Sequence, residues 1–411
     1  VTAQTSAAES GVRGDDNGFT LRAPDGTSYR VDLTREVLSP ANPLLAECCE
    51  GRRVVAFTGP TVDRLYGRQL RAYLDARFAP GTWSVHVLAG GEDRKRMETV
   101  EEICALAKSA GLDRGGVMLA VGGGVTCDLV GFAAAIYCRG VRYVKVNTTL
   151  VGQIDVGVGV KTGINALGTK NMLGAYHPPH ASLNDPAFLR SLTPRDIRCG
   201  LGETAKMAII KDARLFQALE ECPQVFQRPY ATPASLAEEG LGRRGVEDYV
   251  LRTSMRLMME ELCPNLREHD LARLVDFGHT FGPVMETASA YRIAHGESVA
   301  IDMALSSELA RVLGLLDARD CERIVALIDA LGLPVFDPET CTPELMDRAL
   351  KASWERRGRR LHLVVPDGIG SAVFVDDLDD IPGAALQEAL DALAARAARA
   401  ENAAAPLTAA C

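Results

Sequence analysis

The stretch GVMLAVGGGVTCDLVGFAAAI, residues 116–136, decides the reading of the fold. An apolar run from Gly116 to Val121 ends in Gly122-Gly123-Gly124, and an apolar helical pattern follows from Leu129 to Ile136. A strand that turns through glycines into a helix sets the helix's first N–H groups and positive dipole end at the strand's carboxyl end, where a pyrophosphate can approach the backbone. The same turn also serves as a plain structural joint, and the usual G-x-G-x-x-G spacing is absent. Further short apolar runs, Val54 to Phe57, Trp83 to Leu88 and Tyr143 to Val146, alternate with helical patterns, which implies βαβ units and a parallel sheet. From Leu192-Thr193-Pro194 onward the period lengthens to near 3.6, as in Ser298 to Leu313 and Cys321 to Leu331, and only Leu361 to Val365 resembles a strand. The pattern predicts an α/β, Rossmann-like N-terminal domain over 18–191 and a mainly α-helical C-terminal domain over 192–399. Residues 1–17 and 400–411 are expected to be disordered tails, and Pro229 to Gly245 a surface excursion.

A chain of 411 residues with 47% apolar content can build a core in each of two domains. Its formal charge of −9 argues against nucleic-acid or membrane partners, and an anionic substrate would need a local cluster of cations. The eleven cysteines follow no regular framework, which reads as reduced thiols in the cytoplasm. No run of about 18 apolar residues suggests a membrane span, and no basic segment followed by an apolar run suggests export.

Other segments carry candidate chemistry. In Gly90-Gly91-Glu92-Asp93-Arg94-Lys95, Glu92 could accept ribose hydroxyls and Lys95 could meet phosphate, although a solvated charged loop reads the same way. Residues 147–165, dense in Gly, Thr and isolated charges, suit a loop wrapped around a polar ligand or an ordinary surface loop. Asp155, Lys161, Lys170 and Asn171 are candidates there for hydroxyl and phosphate contacts, with Arg139 close by in sequence. Glu203, His279 and His295 lie far apart in the chain, yet two imidazoles and a carboxylate make an open zinc site. A lone histidine is more often a hydrogen-bonded structural residue. Two of the seven that each adjoin a glycine are more suggestive.

Together these segments resemble the dehydroquinate synthase superfamily, the sugar-phosphate cyclases, from about residue 50 to 370. GGGVTCDLVGFAAAIYCRG, TTLVGQIDVGVGVKTGIN, GTKNMLGAY, GLGETAKMAI, GHTF and HGE occur in family order. The resemblance implies a dehydroquinate synthase-like fold, NAD and Zn2+ (or Co2+) as cofactors, and a homodimer. It implies that Glu203, His279 and His295 hold the metal and that Glu92, Lys95, Gly123, Gly124, Asp128, Thr148, Thr149 and Lys170 line the NAD site. Asp155, Lys161, Asn171 and Lys206 would hold substrate hydroxyls and phosphate, and Arg139 would reach a phosphate pocket, often a partner subunit's.

The departures bear on the substrate. Where dehydroquinate synthases pair the substrate carboxylate with a Lys, this chain has Met258, and a carboxylate facing a thioether loses its charge-assisted bonds. The family's Asn three residues before the first metal His is Asp276, and its His four residues after is Pro283. These changes resemble 2-epi-5-epi-valiolone synthases, which cyclise sedoheptulose 7-phosphate with release of phosphate. Desmethyl-4-deoxygadusol synthases and dehydroquinate synthases are the alternatives, and a metal-dependent polyol dehydrogenase is the reading from a different class. A family Arg falls on Ala272 with Arg273 adjacent, and Arg356 or Arg357 stands in for a late phosphate-pocket Lys.

Overall fold

The structure, a computed structural model, describes residues 10–227, 237–238 and 242–404. It divides into two compact units, Val1–Leu192 with Met255–Glu268, and Thr193–Ser254 with His269–Cys411.

The first unit is built on an eight-stranded sheet. Its strands are β1 (Gly11–Asp15), β2 (Gly18–Arg22), β3 (Ser28–Leu33), β4 (Val54–Thr58), β5 (Trp83–Val87), β6 (Val117–Gly122), β7 (Arg142–Asn147) and β10 (Ala181–Asn184), in the order β1-β2-β3-β10-β7-β6-β4-β5. From β3 to β5 the strands run parallel. Helices α1 (Leu44–Cys49), α2 (Pro60–Arg77), α3 (Met97–Ser109) and α4 (Gly124–Ile136) come between them. Because side chains alternate along a strand, Val54, Ala56, Val117, Leu119 and Val121 enter one core. Val55, Phe57, Met118 and Ala120 enter the other, with α3 and α4. Burial on both faces is why these runs read as continuously apolar.

The chain adds β5 on one side of β4 and then crosses to place β6 on the other. Such a reversal opens a crevice at the strands' carboxyl ends, where open α/β sheets bind ligands. Thr58, Gly90 to Lys95, Gly122 to Gly124 and Asn147 to Thr149 all lie at or beyond those ends.

Several expectations are corrected. Residues 11–15, read as tail, form β1 and pair antiparallel with β2 from Gly11↔Arg22 to Asp15↔Gly18. A short strand with an exposed end carries no apolar alternation, so only its backbone partner reveals it. The segment 147–165 contains a π-helical turn, Gly152–Val156, and the start of a hairpin, β8 (Lys161–Ala166) and β9 (Thr169–Tyr176). Residues 255–268, assigned to the second domain, belong to the first unit. There Cys263 Sγ lies 3.3 Å from the Arg22 carbonyl oxygen and Arg267 pairs with Asp25 at 2.7 Å.

The second unit contains α5 (Pro194–Lys211), α6 (Ala213–Glu221), α8 (Gly282–Ala288), α9 (His295–Val312), α10 (Ala318–Ala330), α11 (Pro343–Arg356), α12 (Gly383–Ala404) and the hairpin β11 (Leu363–Gly368) and β12 (Ser371–Val375). Helix α7 (Arg243–Leu262) spans the division between the units. The excursion expected over Pro229 to Gly245 lies outside the described residues apart from 237–238 and 242–245. Residues 400–404, expected to be tail, continue α12. Thr193 and Asp196 form a reciprocal capping box with Pro194 in the first turn, so α5 starts where the sequence period changes. No described helix is long and apolar enough to cross a membrane.

Candidate active site

Glu203 projects from α5, His279 from the loop before α8, and His295 from the first position of α9. Glycines beside these residues allow the elements to meet. A Cβ on Gly202 would stand 2.8 Å from the Gly296 carbonyl oxygen, and one on Gly296 would stand 2.3 Å from the Cys199 backbone. Gly278, at φ +77, lays the His279 loop against Val299 and Met303 of α9. Glu203 Oε1 then faces His295 Nε2 at 3.2 Å and His279 Nε2 at 3.7 Å. Each of the three offers a ligand atom within 4.8 Å of the others. Two donors each about 2.1 Å from a tetrahedral Zn2+ stand about 3.4 Å apart, so these separations suit one such ion.

The electrostatics suit a cation. His279 Nδ1 lies 3.0 Å from the Phe277 carbonyl oxygen, which can only accept, so that nitrogen carries the proton and Nε2 presents a lone pair. Burial and then the Lys206 ammonium push the His279 pKa down to about 4, so the ring is neutral near pH 7. A lone pair aimed at a carboxylate oxygen is repulsive unless a positive ion lies between them. Burial pushes the Glu203 carboxyl up, but Lys206 and the imidazoles outweigh it and hold the group well below the usual carboxylate range. Lys206 Nζ pairs with Glu203 Oε2 at 2.6 Å, one helical turn along α5. The residues present therefore fit a divalent metal.

Two residues without a sequence signal, Glu286 and Asp302, and several that the departures from the family pattern singled out complete the setting. Glu286 Oε1 lies 2.9 Å from His295 Nδ1 and accepts from Ser298 Oγ at 3.1 Å. Asp302 Oδ2 accepts the Phe281 and Gly282 amides at 2.6 and 2.9 Å, which pins the backbone just after His279. Asp276 takes two bonds from Arg273 Nη2, at 2.6 and 2.7 Å, and a third from Arg357 Nη2 at 2.8 Å. Arg357 also donates to the carbonyls of Leu361 and His362, both at 2.9 Å. Arg356 is exposed. Pro283 lies in the first turn of α8, where its missing N–H leaves no bond unmade.

In the first unit the structure gathers candidates from three segments. Lys95, only 4% exposed, pairs with Asp128 Oδ2 and donates to Asn171 Oδ1, both at 2.5 Å. Glu92 Oε1 accepts from Asn165 Nδ2 at 2.8 Å, and Asn165 Oδ1 accepts the Asn171 amide at 2.9 Å. Asn165, at the end of the 147–165 segment, is thus the link between Glu92 and Asn171. No side chain caps the N-terminus of α4, which leaves its first-turn N–H groups for an anion. Gly123 has an internal reason as well, since a Cβ there would meet Thr149 Cγ2 at 2.8 Å. Thr149 Oγ1 accepts the Gly152 amide at 3.0 Å, and the buried Thr148 donates its amide to the Gly122 carbonyl at 2.9 Å. The crevice, its uncapped helix and its polar rim fit a dinucleotide. Asp155, on the π-turn, and Lys170, on β9, are half-buried. Lys161 is exposed and paired with Glu268. Arg139 is exposed at φ +67, and Met258 is 2% exposed on α7.

Comparison with known proteins places these residues in a family. The 3-dehydroquinate synthase N-terminal family model matches residues 85–199, and the C-terminal one matches residues 200–352. A 2-epi-5-epi-valiolone synthase from Streptomyces glaucescens is 65% identical over 394 residues, covering 96% of this chain and 98% of the relative. The solved structure of 2-epi-5-epi-valiolone synthase from Streptomyces hygroscopicus subsp. jinggangensis 5008, with NAD+ and Zn2+ bound, superposes with TM-score 0.80 at 43% identity, covering 90% of this chain and 98% of that one. A 2-deoxy-scyllo-inosose synthase complexed with carbaglucose-6-phosphate, NAD+ and Co2+ shares the fold, with TM-score 0.71 at 20% identity over 89% of this chain and 98% of that one. The matched regions, the parallel sheet and the Glu203, His279 and His295 cluster agree: this chain belongs to the 3-dehydroquinate synthase family.

Proposed function

We propose that this chain is a phosphate-eliminating carbon–oxygen lyase that closes sedoheptulose 7-phosphate into 2-epi-5-epi-valiolone, with NAD and Zn2+ or Co2+ as cofactors. The observation that carries the proposal is the convergence of Glu203, His279 and His295 beside the buried Lys206. The choice of sugar is supported by the 65% identical relative and by Met258, which offers a substrate carboxylate no charge-assisted bond. When bound, NAD supplies a reversible hydride acceptor and the divalent ion polarises substrate oxygens.

The chain's own residues bind, orient and move protons. Glu203, His279 and His295 hold the ion, Glu286 and the Phe277 carbonyl keep the two imidazoles aimed, and Asp302 pins the backbone that follows His279. Lys206, buried against Glu203, is the hydrogen-bonding and proton-transfer group of this set. The α4 N-terminus, Thr148 and Thr149 receive the dinucleotide phosphates, and Glu92, Lys95, Asp128 and Lys170 line the rest of that site. Asp155, Lys161 and Asn171 hold the sugar's hydroxyls and phosphate. Asp276, clamped between Arg273 and Arg357, sets the entry of the chain into His279, whose amide donates to the Asp276 carbonyl at 2.9 Å. A second copy of the chain brings Arg139 to the phosphate pocket, which the exposed, left-handed turn at Arg139 supports. The proposal places the reaction in the cytoplasm, in keeping with ten free thiols among the described residues.

The test incubates purified protein with NAD+, Zn2+ or Co2+, and sedoheptulose 7-phosphate, beside the heptulosonate phosphate used by dehydroquinate synthases. Phosphate release and the cyclic product are scored. Turnover of the heptose phosphate alone is expected. Preference for the acid-bearing sugar overturns the substrate, and NADH accumulation without phosphate release overturns the reaction class.

A further inference from the structure

Lys145 interrupts a core strand. It lies in β7, between β6 and β10, and is 1% exposed. Alternation puts it on the face of Tyr143 and Asn147, and Tyr143 packs in the core that α4 covers. Its ammonium donates to two backbone carbonyls, Val156 and Gly159, each at 2.8 Å, and lies 5.7 Å from the centre of the Tyr143 ring. A desolvated ammonium held by neutral carbonyls is unfavourable next to an apolar side chain of the same volume. Burial accordingly pushes its pKa down, against the pull of Cys127, Asp128 and Asp155. The position therefore calls for an explanation in what the two bonds hold.

They hold the segment that carries Asp155. Gly152–Val156 is a single π-turn, a feature frequent at functional sites. The Gly157 amide closes it on the Gly152 carbonyl at 2.7 Å, and the Val158 and Gly159 amides donate to the Asp155 carbonyl at 2.9 and 3.0 Å. The Lys145 bonds grip the carbonyls of Val156, at the end of the π-turn, and of Gly159, three residues on. Asn147, on the same strand face, comes so close that a Cβ on Gly157 would stand 2.3 Å from its Nδ2. Two side chains of β7 thus brace one turn.

We propose that Lys145 is a positioning residue for Asp155, its two carbonyl bonds holding the π-turn in the arrangement that presents the Asp155 carboxyl to the sugar. The inference rests on the reading of Asp155 as a substrate-holding group. Displacement of a positioned group by an ångström lowers rates by about 10²-fold. Lys145→Met, which keeps volume and removes both bonds, is expected to lower kcat/KM by about 10²-fold while NAD+ binding by calorimetry stays unchanged. Lys145→Gln, which can still donate to a carbonyl, is expected to recover part of that loss.

The deciding measurement is a double-mutant cycle with Asp155→Asn on the full-length enzyme. If Lys145 acts through Asp155, the double variant is no slower than D155N alone. Losses that multiply overturn the proposal and leave Asp155 in its role. Full activity in D155N overturns the proposal together with the substrate role of Asp155. Wild-type kinetics in K145M overturns it outright. Should K145M not fold, K145Q takes its place in the cycle with the same outcomes.

Discussion

Removing the charge behind His295 gives a quantitative test of the metal centre. Glu286 is 3% exposed, and its Oε1 serves both His295 Nδ1, at 2.9 Å, and Ser298 Oγ, at 3.1 Å. Glu286→Gln can keep an oxygen at that point, so both bonds survive and only the negative charge goes. Glu286→Ala removes the acceptor and frees the ring to turn. Partners of metal-bound imidazoles contribute about 10- to 100-fold to metal affinity, or about 1.4 to 2.7 kcal/mol. The glutamine variant should fall near the lower figure and the alanine variant near the upper. Zn2+ dissociation constants measured against a competing chelator provide the number, and the visible spectrum of the Co2+-loaded protein reports ligand geometry apart from turnover. Saturating metal should restore activity in the glutamine variant. Affinities of both variants within about twofold of wild type would refute the reasoning, because His295 would then be oriented without Glu286.

Three further outcomes follow from the geometry. His279→Ala should abolish metal content and turnover together, measured by elemental analysis and phosphate release, and activity in the metal-free variant rejects the ligand set. Arg357→Ala should destabilise the fold by about 3 kcal/mol in urea unfolding, since it deprives the buried Asp276 of one of its two cations; Arg356→Ala, at an exposed position, should be neutral within about 0.5 kcal/mol. Burial raises the Asp302 carboxyl from 3.8 to about 6 in the fold, held there against its amide and Ser306 bonds. A carboxyl raised on folding leaves its stability intact below pH 3.8 and loses it as pH rises through 6, so the contribution of Asp302 itself falls by about 3 kcal/mol across that window. That change is opposite in sign to the contribution of His279, whose lowered pKa adds stability as pH rises from about 4 to 6.5 in the metal-free protein. Asp302→Asn, which can accept both amides and donate to Ser306, should remove the Asp302 contribution, so that in urea unfolding of the metal-free proteins the variant gains about 3 kcal/mol relative to wild type between pH 4 and 7.

Local chemistry along the chain was enough for much of this. Continuous apolar runs such as Val54 to Phe57 and Gly116 to Val121 announce strands buried on both faces. The three glycines after Val121 and the Thr193-Pro194 start mark where helices begin, because caps and turns are made by near neighbours. The candidate metal ligands were also legible, through the glycines beside His279 and His295 and through the family resemblance that adds Glu203, and in the fold the glycine beside each of the three lets its backbone approach another element. Glu286, Asp302 and Asn165 carried no such mark. Their partners lie 9, 21 and 73 positions away along the chain, through His295, Phe281 and Glu92, and a side-chain hydrogen bond leaves no period behind.

Pairing and packing were settled only in three dimensions. The antiparallel β1 and the β8–β9 hairpin are defined by backbone partners rather than by their own apolar content. Residues 255–262 close helix α7, but a helix does not say by itself which core it serves, and contacts of Cys263 and Arg267 with Arg22 and Asp25 join residues 255–268 to the first unit. Lys145 lay inside a run read as apolar, and Arg357 gained its meaning once Asp276 stood 2.8 Å away. Composition and spacing determine which elements can form and which donors are available; where a buried charge ends up, and what it holds in place, depends on residues that meet only when the chain has folded.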